Sequence, residues 1–172
     1  MKDKEIFHKF DIMIFSCIIF TFIGFIDDAY AFFHDQDEPK TRFIEESKKN
    51  IESLFDRVNN ASTNYQNDIV TLNLSINNNN NNTTLVKKNQ EYIDNLKKII
   101  SSAKTVTVQQ EYKSLLNNYL VSIESEMESY NHYNKYLLTG NLTENKISMD
   151  LLSKAFNYET QAINEYKQLE LQ

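Results

Sequence analysis

The first residues whose types and spacing suggest chemistry lie around His34. Cleavage after Ala31 would give a processed chain that begins Phe32-Phe33-His34. A free α-amine, two deprotonated backbone amides and the imidazole then supply four nitrogens in a square plane, the geometry that Cu(II) and Ni(II) prefer. The sequence therefore predicts a copper- or nickel-binding N-terminus formed by Phe32, Phe33 and His34, and no other cofactor.

A second candidate metal site consists of Glu124, Glu128 and His132. Their spacing of four residues places them on one face of a helix. Two carboxylates and an imidazole in this arrangement can hold a divalent cation, although such pairs also occur as ordinary contacts on a helix surface. Ferritin-like di-iron bundles repeat a Glu-x-x-His pair on two helices, whereas the Glu128–His132 pair occurs once in this chain.

Aromatic and amide residues are dense in the segment that follows Ser129. Tyr130, His132, Tyr133 and Tyr136 lie within seven residues of one another. Tyrosine combines an apolar ring with a polar hydroxyl, which suits a surface that recognises a ligand or a partner. The alternative is that these residues form the core and boundary of a helical bundle.

The sequence contains no motif that announces an enzyme. A Gly-rich phosphate loop, a G-x-S-x-G elbow and an H-E-x-x-H motif are all missing from the 172 residues. The formal net charge is −6, which argues against nucleic acid because that partner requires Lys and Arg at its phosphates. We therefore expect a non-enzymatic protein that does not bind nucleic acid.

The amino-terminal residues 1–31 have the pattern of a secretory signal peptide. Three Lys occur in the first nine residues, an uncharged run spans residues 12–26, and Ala29 and Ala31 suit a cleavage site. The run is shorter than the roughly 20 apolar residues that cross a bilayer. We expect a secreted or cell-surface protein whose mature chain begins with an acidic segment, residues 32–38. The alternative is an uncleaved anchor, residues 10–26, with the body facing outward.

Five N-x-S/T sequences could accept a glycan if the chain passes through a glycosylating secretory route. They are weak candidates because the chain is rich in Asn, and a similar number is expected by chance. The sites are Asn60, Asn73, Asn81, Asn82 and Asn141.

The remaining sequence, residues 39–172, has the periodicity of long helices. The first predicted helix spans residues 39–76, with poor helix formers at 59–64 as a weak point. Alternating apolar residues over 70–76 leave a strand as the alternative for its end. Six consecutive Asn residues, 77–82, predict a loop. The predicted inward positions of the first helix are Ile44, Ile51, Leu54, Val58, Ala61, Tyr65, Ile69 and Leu72.

Three further helices are predicted. The second spans residues 84–104, and Thr107 with Gln110 forms a capping box that starts the third at residue 108. Gly140 ends the third helix, and Asn141 or Thr143 begins the fourth. The predicted inward residues of the second helix are Leu85, Asn89, Tyr92, Leu96, Ile99 and Ala103. Those of the third helix are Tyr112, Leu115 or Leu116, Tyr119, Ile123, Met127, Tyr130, Tyr133 or Asn134, and Leu137. Those of the fourth helix are Ile147, Leu151, Ala155, Tyr158 or Glu159, Ala162, Tyr166 and Leu169.

These patterns predict an all-α fold, an antiparallel three- or four-helix bundle with coiled-coil-like packing. An exported bundle without catalytic motifs is typical of a module that binds a partner protein, a surface component or a small ligand. The alternative function is an extracytoplasmic copper- or nickel-binding protein. Self-association is a further possibility, in which Asn89 would set the register between chains.

Overall fold

The computed structural model describes residues 39–74 and 81–171, and these residues are all-helical apart from short connections. The α-helices are α1 (Pro39–Leu74), α2 (Asn81–Ala103), α3 (Lys113–Thr139) and α4 (Leu142–Glu170), and a 3-10 turn, Gln110–Tyr112, precedes α3. No strand occurs within this part of the chain. The predicted signal peptide or anchor and the acidic segment 32–38 lie outside the described residues.

Side-chain contacts establish that the four helices are antiparallel to their neighbours in sequence. In each neighbouring pair, contacts that move forward along one helix move backward along the other. The pairs are Arg57–Ser102 and Tyr65–Asn89 for α1 and α2, Asn89–Asn134 and Lys104–Glu124 for α2 and α3, and Asn118–Glu165 and His132–Glu144 for α3 and α4. A Tyr166–Glu52 hydrogen bond links α4 to α1. The predicted helical bundle is confirmed, with four helices among the described residues.

The core of α2 follows the predicted spacing of four and three residues. All six inward residues named above, from Leu85 to Ala103, are buried. This spacing corresponds to the heptad of helices that pack side by side. The sequence therefore predicted both the existence and the inward face of α2.

Helix α1 continues without a break through residues 59–64 and remains helical to Leu74, so the strand alternative is wrong up to that residue. Its inward face matches the prediction from Ile51 to Val58 but not on either side, since the predicted Ile44 is exposed. Ser62 and Gln66 are buried, whereas the predicted Ala61 and Tyr65 are only partly buried. Two successive four-residue steps rotate the buried face relative to a strict heptad.

The start of α2 corrects the predicted asparagine loop. Asn81 and Asn82 belong to the helix, while residues 75–80 lie outside the described part of the chain. The Asn82 side-chain Nδ2 donates to the backbone oxygen of Leu137 at 3.1 Å. The amide thus joins the start of α2 to the end of α3.

The predicted capping box at Thr107 and Gln110 is wrong. Helical structure starts at Gln110 as a 3-10 turn, and the side chain of Gln109 does not cap it. The backbone N–H of Gln109 instead donates to Ser47 Oγ at 2.9 Å. Because the buried Ser47 belongs to α1, a tertiary contact replaces the local cap.

Helices α3 and α4 approach closely through small side chains. Ser129 Oγ donates to the backbone oxygen of Ser148 at 2.8 Å, and the two hydroxyls lie 3.0 Å apart. Ser148, Ala155 and Ala162 are buried at intervals of seven residues along α4. The buried register of α4 therefore begins one residue later than predicted, since Ile147 is partly exposed.

The turn between α3 and α4 is built as the sequence predicts. Gly140 has φ +70°, and its N–H donates to the backbone oxygen of Tyr136 at 2.8 Å. Asn141 then caps α4, because its side-chain oxygen accepts from the N–H of Thr143 at 3.0 Å. Gly140 and Asn141 thus reverse the chain and close both helix ends.

Gly140→Ala should lower the free energy of unfolding by about 1 kcal/mol, because a Cβ disfavours the left-handed conformation. Space is not the cause, since nothing lies within 4 Å of a Cβ at this position. Denaturant unfolding followed by circular dichroism at 222 nm measures the change. Gly140→Asn should cost less, because Asn tolerates this conformation. Equal stability of the Ala variant and the parent would contradict the strain argument.

Candidate functional site

A buried amide links three helices near the middle of the bundle. Asn89 is fully buried; its Oδ1 accepts from Tyr65 Oη at 2.6 Å, and its Nδ2 donates to Asn134 Oδ1 at 2.7 Å. One side chain of α2 thereby binds α1 and α3. The contacts of Asn89 thus lie within one chain, and its role in setting a register between chains stays a prediction.

Three tyrosine rings pack beside this amide. Tyr65 stacks on Tyr92 with ring centroids 4.6 Å apart, and Tyr130 contacts both rings edge-on at 5.2 and 5.1 Å. These geometries are the favourable ones for aromatic pairs, each worth about 0.5–1.5 kcal/mol beyond area burial. Tyr92 and Tyr130 are fully enclosed. The rings come from α1, α2 and α3 and hold those helices at a set separation.

A chain of hydroxyl groups leads from this cluster to a carboxylate. Tyr92 Oη donates to Glu126 Oε1 at 2.8 Å, and Ser62 Oγ lies 2.7 Å from the same phenol oxygen. Because a phenol has a single proton, Ser62 donates to Tyr92 while Tyr92 donates to Glu126. The order Ser62, Tyr92, Glu126 therefore defines the direction of the hydrogen bonds.

Two carboxyl groups in the bundle have strongly raised pKa values. Burial raises the pKa of Glu126 to about 7, although its hydrogen bond from Tyr92 acts in the opposite direction. Burial also raises the pKa of Glu159 to about 8, and the nearby charge of Glu126 adds to the shift. Both groups are thus protonated more readily than an exposed Glu. Perturbed acids of this kind mark candidate functional positions.

The sequence analysis missed Glu126, although a signal for it was present. Tyr119, Ile123, Glu126, Tyr130, Tyr133 and Leu137 follow the same four-three spacing as α2. The prediction used the apolar neighbour Met127 instead, and the structure leaves Met127 only partly buried. Glu159 occupies the equivalent heptad position in α4, where the sequence analysis left open whether Tyr158 or Glu159 faces inward.

The four residues predicted as a ligand or partner surface separate into two groups. Tyr130 and Tyr133 are buried in the core. His132 and Tyr136 are partly exposed. His132 Nδ1 lies 2.6 Å from Glu144 Oε2, while its Nε2 lies 3.7 Å from Glu128 Oε1. The pair formed with Glu144 joins α3 to the first turn of α4, and the sequence analysis did not predict it.

Of the predicted metal ligands, Glu124 makes an ion pair with Lys104 at 2.7 Å. Within residues 39–74 and 81–171, no group of three or more His, Cys, Asp or Glu side chains is arranged to hold a metal ion. Phe32, Phe33 and His34 lie outside the described residues. The copper or nickel site at the mature N-terminus therefore stays a prediction.

The candidate glycosylation sites have different surroundings. Asn60 is exposed on α1, Asn82 donates to Leu137, and Asn141 caps α4. The side chains of Asn73 and Asn81 lie outside the described part. Among the described glycosylation candidates, Asn60 is thus the one whose exposed side chain makes no hydrogen bond within the described residues.

The outer edge of α4 carries exposed apolar side chains at regular spacing. Leu142, Met149 and Phe156 follow one another at seven residues and are 73%, 44% and 39% exposed. We define these three residues as the α4 edge. Lys146 and Asp150, both exposed, lie between them in sequence.

Comparisons with known proteins reveal no relative: no family model, no curated protein and no solved structure matches the chain. Among the helices described here, none is both long and apolar enough to cross a membrane. Inferences about function therefore rest on the geometry of the described side chains.

Asn89→Ala should lower the free energy of unfolding by about 2–3 kcal/mol. The change leaves Tyr65 Oη and Asn134 Oδ1 without their partner inside the bundle, and buried polar groups without hydrogen bonds are costly. Asn95→Ala is the matched control, because Asn95 is exposed on the same helix. Urea unfolding of both variants measures the difference, and similar losses for both would contradict the role of the amide.

Glu126→Gln and Glu159→Gln should each raise the free energy of unfolding at pH 9 by about 1–2 kcal/mol and leave it nearly unchanged at pH 4. The raised pKa values mean that the folded state holds protons that the unfolded state has lost. Stability therefore falls as the pH rises from about 4.5 through 7 to 8. Unfolding at both pH values tests this, with the exposed Glu45→Gln as control. Destabilisation at pH 9 would contradict the sign.

Proposed function

We propose that this chain is a non-enzymatic, exported helical-bundle module that binds a partner protein through the α4 edge. The observation that carries the proposal is the exposure of Leu142, Met149 and Phe156 at seven-residue spacing. A straight helix brings such residues to one side with only about 20° of drift per step. The α4 edge therefore forms an apolar stripe on one side of the helix over two heptads.

The spacing of the α4 edge indicates the class of partner. Apolar residues at every seventh position supply one of the two apolar positions of the heptad seam along which helices pair. Polar and charged residues, including Lys146, Asp150 and Ser153, border the stripe. An apolar stripe with a polar border is typical of an interaction site. An amphipathic helix of a partner protein fits this surface.

A small ligand fits the α4 edge less well than a protein does. Small-molecule sites are usually concave and enclose most of the ligand, whereas the outer side of a helix is convex. Leu138, which precedes the turn at Gly140, is a further exposed apolar side chain near the end of α3.

The internal structure of the bundle supports a rigid binding surface. The Ser129–Ser148 hydrogen bonds and the buried alanines of α4 hold that helix against α3. A helix anchored on its inner face presents its outer residues with little loss of backbone entropy on binding. The proposed export rests on the signal-peptide pattern of residues 1–31. The proposed location is therefore outside the cell or on its surface.

A photo-crosslinking residue at Met149, introduced into the chain in the cells that produce it, tests the proposal. We expect one discrete crosslinked protein, identified by mass spectrometry. The control position is Asn95, which is exposed on α2 away from the stripe. Absence of a discrete adduct at Met149, or the same adducts at both positions, would contradict binding through the α4 edge.

A further inference from the structure

We infer that Asn141 is a modification site that carries an N-linked oligosaccharide on its side-chain nitrogen. Asn141, Leu142 and Thr143 form one of the N-x-S/T sequences of the chain, and this motif marks the asparagines that secretory transferases modify. The inference goes beyond partner binding, and it rests on the export that the proposed function includes. The structure distinguishes Asn141 from the other described sites by the atoms that its turn leaves available.

The N-cap of α4 uses the oxygen of the Asn141 side chain and leaves the nitrogen available. Oδ1 accepts from the backbone N–H of Thr143 at 3.0 Å. Nδ2 makes no hydrogen bond to any residue that the structure describes, and the side chain is exposed. An N-linked sugar is attached to this nitrogen and leaves the carbonyl oxygen as an acceptor. A sugar at Asn141 is therefore compatible with the cap.

The hydroxyl group that the motif requires is available as well. Thr143 is exposed, and its Oγ1 makes no hydrogen bond within residues 39–74 and 81–171. The cap uses the backbone N–H of Thr143 and does not use its side chain. Leu142, between the two, is also exposed. A transferase can thus reach the amide nitrogen and the hydroxyl from solvent.

The other two described sites each lack one of these features. The hydroxyl of the Asn60 site belongs to Ser62, which is buried and bonded to Tyr92. At Asn82 the amide nitrogen itself donates to the backbone oxygen of Leu137 at 3.1 Å. A sugar there would place a bulky group at the contact that joins α2 to α3. Asn141 is therefore the described site at which the folded chain presents both groups of the motif.

The conformation at Asn141 depends on neighbouring residues and not on the finished bundle. The backbone N–H of Asn141 donates to Thr139 Oγ1 at 3.2 Å. Its backbone oxygen accepts from the N–H of Glu144 at 3.1 Å. Unfolded chains retain fluctuating local structure of this kind, because every contact lies within about one turn. The arrangement is thus accessible to a transferase during synthesis as well as after folding.

The transfer step takes its sugar from an oligosaccharide carried on a polyprenyl diphosphate. Nδ2 of Asn141 attacks the anomeric carbon, and a C–N bond forms while the bond between that carbon and the diphosphate oxygen breaks. The diphosphate leaves with the electron pair of the broken bond, and one amide proton passes to a base of the transferase. The product retains one N–H and the Oδ1 acceptor that caps α4.

The sugar would stand at one end of the α4 edge. Asn141 directly precedes Leu142, and Met149 lies eight residues further, about 12 Å along the helix axis. A bulky, hydrophilic group at the turn would therefore border the proposed partner surface and favour the approach of a partner from the side of Met149.

Mass spectrometry of the full chain, recovered from the medium and from the surface of the cells that produce it, tests the inference. The intact mass is measured before and after treatment with a peptide-N-glycosidase. This enzyme removes the sugar and converts the modified asparagine to Asp, so treatment in heavy-oxygen water labels the position. We expect a loss of mass and a heavy-oxygen label at Asn141.

Three variants separate the modification from the cap. Asn141→Asp should abolish the sugar and keep the helix, because Asp is as good an N-cap as Asn. Thr143→Ala should also abolish it, whereas Thr143→Ser keeps the hydroxyl and should retain it. Asn145→Asp is the matched control, since it makes the same change four positions further, outside any N-x-S/T sequence. Circular dichroism of every variant checks that the helices are intact.

A chain found outside the cells without a sugar at Asn141 would overturn the modification and leave the proposed export intact. A sugar at other asparagines alone, or its loss in Asn145→Asp as well, would also overturn the modification. A chain retained inside the cells without a sugar would overturn the export and the modification together. Partner binding is tested separately by the crosslinker at Met149.

Discussion

The bundle depends on one buried amide more than on any single apolar contact. Asn89 uses its oxygen for a phenol of α1 and its nitrogen for an amide of α3. Apolar side chains tolerate a shift of a helix by one turn, because another apolar residue takes the vacated place. A buried amide does not, because a shift leaves donors and acceptors unpaired in a medium without water. Asn89 therefore discriminates among registers that hydrophobic packing alone would allow.

Two carboxyl groups within the bundle, those of Glu126 and Glu159, can gain or lose a proton, which the aliphatic side chains around them cannot. Glu126 receives a hydrogen bond from Tyr92, which lies between it and Ser62. The network is connected through α1, α2 and α3, so a change of charge on Glu126 acts on three helices. Glu159 places the second acid on α4, where burial and the charge of Glu126 both favour its neutral form. Near neutral pH, protonation and packing are therefore linked.

The sequence predicted local features well and contacts between helices poorly. Gly140 and Asn141 were correctly assigned because a left-handed cap and an N-cap depend on residues within one turn. Thr107 was wrongly assigned because Ser47, distant in sequence, supplies the hydrogen bond at that loop. Glu126 was missed for a related reason: a carboxyl group contradicts an apolar stripe until its partner Tyr92 is known.

The inner face of α1 is a second case in which contacts with other helices decide what the sequence of one helix leaves open. Periodicity identified Ile51, Leu54 and Val58 as inward, and all three are buried. After Val58 the sequence is compatible with either of two buried faces of α1, because Ala61 and Ser62 are both small. The structure buries Ser62, whose hydroxyl reaches Tyr92. The choice between adjacent small residues was made by a hydrogen bond to another helix, and no pattern within α1 contains that information.

The small residues of α4 have a consequence for the order in which the chain acquires structure. Ser148, Ala155 and Ala162 let α4 lie close to α3, and only two residues, Gly140 and Asn141, separate these helices. Contacts between segments near in sequence require little loop closure, so we expect the α3–α4 hairpin to form early. Yet a ribosome synthesises this hairpin after α1 and α2. Until it is made, the faces of α1 and α2 that pack against the hairpin are uncovered. During synthesis, the chain is therefore most exposed to aggregation and chaperone binding just before its last helix emerges.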